Sequence, residues 1–226
     1  MAPENTLAGL RTAARLGFRA VEFDVKLTRD GVAILMHDDT LDRTTNGRGL
    51  VAESDWDPLQ HLDAGGQHGP PFVGERIPTL VSALALCAEL HLWPNVEIKP
   101  CPGRERETGA LVAQQVVQHG VDITTPLLSS FSPAALEAAL EVAPQLPRGL
   151  LVTDVPNDWR HQVARLSCFS LHCEQRAATS AILEQLADAG YPVLCYTVNN
   201  ARAARRLFSS GASAIVTDRL DLISPG

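Results

Sequence analysis

Hydrophobic and polar positions near the start of the chain keep two different rhythms. Leu7, Leu10, Ala14 and Leu16 recur at helical spacing behind Asn5 or Thr6, either of which can cap a helix that Gly17 closes. From Val21 the period drops to two. Val21, Phe23, Val25 and Leu27 alternate with Glu22, Asp24 and Lys26, which predicts a strand with three charged side chains on one face. Asp30-Gly31 is a two-residue hairpin signal, and the apolar run Val32 to Met36 behind it ends in His37-Asp38-Asp39. With Asp30-Gly31 as the turn, Asp24 lies opposite His37, so two carboxylates and an imidazole converge.

Residues 43–78 are rich in Gly, Pro, Asp and His, with Trp56, Leu59 and Leu62 hinting at a short helix. This stretch exceeds an ordinary connection and reads as an insertion or cap within a single domain spanning 1–226. From Thr79 to the end, helix and short apolar strand alternate. Helices are expected at 80–90, 105–119, 133–142, 158–166 and 180–189, and after Asn199 or Asn200; strands at 95–99, 127–131, 149–153, 168–172, 193–198 and 214–217. Together with 20–26 these make seven parallel strands, an α/β pattern that favours a TIM (β/α)8-type barrel over a doubly wound sheet. Such a barrel needs eight. The helix at Thr6 precedes the first strand, so the remaining strand is expected upstream of Met1.

Composition narrows the function. A chain of 226 residues, 45% hydrophobic, can bury one sizeable core. Its formal net charge of −7 argues against nucleic acid or an anionic membrane surface as a partner. Five cysteines without a C-x-x-C pair fit reduced thiols in the cytoplasm, and no apolar run reaches the ~18 residues of a membrane span. A monomer or homodimer acting on a small molecule is expected.

In a barrel of this type the active site gathers at the carboxyl ends of the strands, and Glu22, Asp24, Glu97, Lys99, Ser130, His172, Asn199 and Asp218 all fall there. Three carboxylates, Glu22, Asp24 and Glu97, suit a hard divalent cation, Mg²⁺ or Ca²⁺, with water completing the shell. Lys99 supplies positive charge for an anionic substrate group. His37 can give or take a proton near neutral pH. The plainer readings are an internal Glu97–Lys99 salt bridge, and a hairpin-end histidine held by Asp38 or Asp39.

The motifs Ala2-Pro3-Glu4-Asn5-Thr6, Glu22-x-Asp24, Thr28-Arg29-Asp30-Gly31, His37-Asp38, Arg43-Thr44-Thr45, Ile77-Pro78-Thr79-Leu80, Glu97-x-Lys99, Thr197-Val198-Asn199 and Thr217-Asp218-Arg219 follow one another in order. In this the chain resembles the glycerophosphodiester phosphodiesterases. The resemblance implies a TIM barrel with an insertion at about 43–78, a metal held by Glu22, Asp24 and Glu97, His37 as one of two catalytic histidines, and Lys99 at the phosphate. It implies hydrolysis of glycerophosphocholine, glycerophosphoethanolamine or a related diester to glycerol 3-phosphate and an alcohol. Phe131, His172, Tyr196 and Asn199 are the further candidates for substrate contact.

Two departures qualify the resemblance. The family's first strand ends in His-Arg-Gly, and here Met1 stands directly before Ala2, so that strand, its histidine and its arginine are expected to be absent; His172 is the first candidate to stand in for the histidine. Tyr196 stands where the family usually has tryptophan. The competing readings are a phosphate- or polyol-binding barrel relic that keeps the metal site without turnover, and another metal-dependent barrel hydrolase. His61, His68, His91, His119 and His161 read as solvated surface residues, and Arg202, Arg205 and Arg206 as a solvated helix face.

Overall fold

The computed structural model describes residues 1–119 and 125–225. A first helix α1 (Leu7–Arg15) is capped by Thr6, whose hydroxyl accepts from the Gly9 amide. It leads into β1 (Ala20–Leu27) and its hairpin partner β2 (Ala33–Leu35). After the short helix α2 (Trp56–Leu59) come α3 (Leu80–Leu90), β3 (Trp93–Ile98), α4 (Glu105–His119), β4 (Leu127–Ser130), α5 (Pro133–Val142) and β5 (Arg148–Val152). The alternation ends with α6 (Trp159–Arg165), β6 (Ser170–Glu174), α7 (Ser180–Asp188), β7 (Val193–Tyr196), α8 (Ala201–Ser209) and β8 (Ala214–Ile215).

The eight strands of the described residues form one sheet in the order β2-β1-β3-β4-β5-β6-β7-β8. Seven run parallel, and β2 adds an antiparallel edge along the last residues of β1. The alternation therefore yields the expected α/β sheet of TIM-barrel type, with β2 and β8 as its edges among the described residues. No helix among these residues is long and apolar enough to cross a membrane.

Period two decides which way β1 faces. Phe23, Val25 and Leu27 pack outward into a core shared with Leu80 and Leu84 of α3 and Val112 of α4, leaving Glu22, Asp24 and Lys26 on the inner face. A second apolar cluster joins β5, β6 and β7 to α6, α7 and α8, around the buried Trp159. Residues 43–78 have their own small core: Val51, Leu59, Ala64 and Ile77 pack with Ile34 and Met36 beside the hairpin.

The hairpin register differs by one residue from the expected pairing. Lys26 pairs with Ile34 and Leu27 with Ala33, and the Met36 amide bonds the Asp24 carbonyl, so Met36 and not His37 stands opposite Asp24. A two-residue type I′ turn needs positive φ at both central residues, and here only Gly31 has it, at 82°. The loop is instead Arg29-Asp30-Gly31, closed by the Thr28 amide on the Val32 carbonyl, with Asp30 accepting from the Thr28 hydroxyl and the Trp56 amide. Strand β6 also starts later than expected, at Ser170. Ser167 adopts φ 49° and Cys168 still bonds back to Val163, so the residues after α6 finish the helix cap before the strand begins.

Candidate active site

A cavity of about 990 Å³ opens over the inner face of the sheet and reaches β1, β3, β7 and β8. Glu22, Asp24, His37, Glu97, Lys99 and Asp218 line it, with Phe131, His172 and Tyr196 on the same wall. Parallel pairing of β1 with β3 places Asp24 beside Glu97, and Glu22 beside Asn95 one pleat earlier. One ligand atom from each of Glu22, Asp24 and Glu97 lies within 4.8 Å of the others.

Such a cluster repels itself and resists desolvation. Burial first, then the neighbouring carboxylates, pushes Glu22 well above the usual carboxylate range. Burial and Asp24 raise Glu97 to about 7. Oε1 of Glu22 and Oε1 of Glu97 are both sealed from solvent without a hydrogen-bond partner. Two orphaned acceptors within one cluster of three carboxylates are what a hard cation would satisfy, so the donor set fits a divalent metal ion. Lys99 partly offsets the charge, with Nζ 3.2 Å from Asp24 Oδ1 and 3.7 Å from Glu97 Oε1. Asp24 is further held by Asn5, whose Nδ2 donates to Oδ2 at 2.9 Å while its Oδ1 accepts from the Asp24 amide at 2.9 Å. Asn5 reads in the sequence as a helix cap. Its φ of 53° shows a different task, since the left-handed region that asparagine tolerates turns its amide onto β1.

His37 follows β2 and remains half exposed. Its Nδ1 lies 2.6 Å from Asp38 Oδ1, and a carboxylate can only accept, so Nδ1 carries the proton and Nε2 is the free nitrogen. Arg43, from the insertion, donates from Nε to Asp38 Oδ2 at 2.6 Å and grips Glu4 through both terminal nitrogens at 2.6–2.8 Å. The Arg43 hydrogen bonds hold Asp38 well below the usual carboxylate range and lower Glu4 as well.

Other candidates fall into place differently. Phe131 and Tyr196 meet edge to face, with ring centroids 5.7 Å apart, and Tyr196 donates its hydroxyl to the Val152 carbonyl at 2.7 Å. His172 is buried on the inner face, 2.9 Å from the Ser170 hydroxyl, and burial lowers its pKa to about 3. A neutral ring of that kind is a poor substitute for a proton-transferring histidine. Asn199 is exposed in the loop after β7 and does not line the cavity: its Nδ2 donates to Asp218 Oδ2 at 3.0 Å, and its Oδ1 accepts from Thr217 and the Asp218 amide. The cavity thus meets Asp218 where Asn199 is expected. Asn200, not Asn199, caps α8. Ser130 also turns away, donating to the Ile98 carbonyl of the adjacent strand. His68, expected on the surface, is exposed but lines the cavity.

Lys26 is nearly fully buried, donating to Asp39 at 2.6 Å and to the Lys99 carbonyl at 3.2 Å. It ties the segment after His37 to the strand end that carries Lys99. Alternation alone showed its face, but its partners lie 13 and 73 residues away.

The sequence model of the Glycerophosphoryl diester phosphodiesterase family matches residues 1–222. A glycerophosphodiester phosphodiesterase of Caldanaerobacter subterraneus subsp. tengcongensis is 33% identical over 96% of this chain and 88% of its own. A solved phosphodiesterase from Oleispira antarctica, in complex with the product sn-glycerol-3-phosphate, superposes with a TM-score of 0.93 at 37% identity, covering 96% of this chain and 88% of that one. The glycerophosphodiester phosphodiesterase of Agrobacterium tumefaciens gives a TM-score of 0.79 at 26% identity, over 98% and 93% of the two chains.

Proposed function

Because the chain belongs to the glycerophosphoryl diester phosphodiesterase family, we propose that it hydrolyses glycerophosphodiesters such as glycerophosphocholine and glycerophosphoethanolamine to glycerol 3-phosphate and an alcohol, with a divalent cation as cofactor. The observation that carries this reading is the convergence of three carboxylates, an ammonium and an imidazole on one cavity. The relative from Oleispira antarctica with glycerol 3-phosphate bound supports the substrate class.

Glu22, Asp24 and Glu97 would hold the cation, Mg²⁺ or Ca²⁺. When bound, it supplies Lewis-acid stabilisation of the negative charge that grows on the phosphoryl oxygens. Lys99, the residue after β3, reaches the same cluster and holds a phosphate oxygen by charge. His37 presents Nε2 to the cavity, where it takes a proton from the attacking hydroxyl or, once protonated, gives one to the leaving alkoxide. Phe131 and Tyr196 offer an apolar wall to the carbon skeleton of the substrate, and the buried His172 lines the same cavity. Residues 43–78 serve as a cap inside a single domain and shape the head-group end of the pocket. Five free, buried cysteines support a cytoplasmic setting.

The test is release of glycerol 3-phosphate from both diesters by the 226-residue chain, with Mg²⁺, Ca²⁺ or chelator, beside Glu97→Ala and His37→Ala. Metal-dependent turnover lost in both variants supports the reading. Metal binding that disappears in Glu97→Ala, with no turnover in the parent, supports the binding relic instead.

A further inference from the structure

Four ionisable side chains from three separate parts of the chain form an unbroken line: Glu4, Arg43, Asp38 and His37. The guanidinium of Arg43 spends both edges on carboxylates. Nε and one terminal nitrogen bond Asp38 at 2.6 and 3.0 Å, and the terminal pair bonds Glu4 at 2.8 and 2.6 Å. Asp38 in turn offers Oδ1 to His37 Nδ1 at 2.6 Å. A planar fork with four of its five N–H groups bonded to two carboxylates fixes the carboxylate plane of Asp38, which a lone exposed aspartate could not do for itself.

We propose that Arg43, braced by Glu4, is a positioning residue that acts through Asp38 to hold His37 in the Nδ1–H tautomer, so that Nε2 is always the nitrogen turned to the cavity. Arg43 touches neither the reacting atoms nor the candidate metal ligands. Its effect passes through one carboxylate. Glu4 has a matching part: without a second carboxylate the guanidinium could swing away from Asp38, because roughly half of its surface is exposed, at 48%. The clamp also links two segments far apart in sequence, the opening loop and the insertion, at the mouth of the cavity that Glu4, His37, Asp38 and Arg43 line. The catalytic consequence rests on the reading of His37 given above; the tautomer does not.

The test uses the full chain labelled with ¹⁵N-histidine at alkaline pH, where imidazole is neutral, with His37→Gln identifying the resonance. In the parent, His37 Nδ1 should carry the proton and Nε2 the unprotonated shift. In Arg43→Gln the two nitrogens should move toward a common averaged position, with Arg43→Lys between. For glycerophosphocholine, kcat should fall about tenfold in Arg43→Gln while KM stays within about twofold, a part of the ~10²–10⁴ that acid–base catalysis supplies. An unchanged tautomer in Arg43→Gln overturns the proposal, as does a loss confined to KM. Should Arg43→Gln fail to fold, Glu4→Gln keeps Arg43 and Asp38 and must still show a measurable tautomer shift. If the parent turns over no glycerophosphodiester, the functional reading fails, and the tautomer measurement still decides the clamp.

Discussion

Asp24 and Glu97 stand directly opposite each other across the β1–β3 ladder, two carboxylates at adjacent positions of a buried face. Without a cation this juxtaposition opposes folding at neutral pH. Glu97 has its pKa raised from 4.5 to about 7, so the folded chain binds a proton there that the unfolded chain has released. Its contribution to stability is present below about 4.5 and is lost as pH rises through about 7. A divalent cation held by the three carboxylates would replace that proton. The gain in Tm from saturating Mg²⁺ or Ca²⁺ should therefore be larger at about pH 8 than at about pH 5.5. Glu97→Gln should reduce the gain at both. An equal gain at both pH values in the parent would remove the triad as the binding site.

Lys99 offsets the same cluster from 3.2 Å. Lys99→Met keeps much of the stem and removes the charge. It should lower kcat/KM for glycerophosphocholine by about 10²-fold and weaken competitive inhibition by inorganic phosphate, since one hydrogen-bonding cation on the phosphate is lost. Steady-state kinetics with phosphate as inhibitor check this. Unchanged phosphate inhibition would place Lys99 in a purely structural ion pair.

Much of this site was legible in sequence because it is written locally. Glu22-x-Asp24 and Glu97-x-Lys99 each sit on one strand, and period two puts each pair on one face whatever the rest of the chain does. Strand alternation then brings the two pairs together. What escaped depends on loop geometry or on long-range contact. The hairpin register turned on whether Asp30 has positive φ, which Asp-Gly leaves open between a two- and a three-residue loop. Asn5 on Asp24, Arg43 on Asp38 and Asn199 on Asp218 are side-chain bonds between segments whose approach no periodicity encodes. Strand β7 stops at Tyr196, short of the expected 198, so Asn199 lies in the loop that follows and its amide faces a neighbouring loop.

Gly149 on β5 makes room for the buried imidazole. A Cβ there would collide with His172 Nε2 and stand 2.9 Å from Ser170 Oγ. Gly149→Ala should cost about 1–3 kcal/mol of stability through overpacking. In a His172→Ala background most of that cost should vanish, because the atom it strikes is gone. Urea unfolding of the four proteins measures the coupling. An identical cost in both backgrounds would mean the strain lies against Ser170 or in the β5 backbone and not against His172.

His172 itself makes stability depend on pH with a sign opposite to that of Glu97. Burial lowers its folded pKa from 6.5 to about 3, so between these values the unfolded chain binds a proton that the folded chain refuses. Stability from this residue is complete above about 6.5 and is lost as pH falls toward 3. Between about pH 7.5 and pH 5 the loss should reach about 2 kcal/mol. His172→Gln retains an amide beside Ser170 and does not titrate. Urea unfolding in chelator at the two pH values should therefore show a smaller drop in the variant than in the parent. Glu22 and Glu97 push the other way in both proteins, so their contribution cancels in the difference. If parent and variant fall by the same amount, His172 is hydrated and protonated in the folded chain, and it returns as a candidate for proton transfer in the cavity.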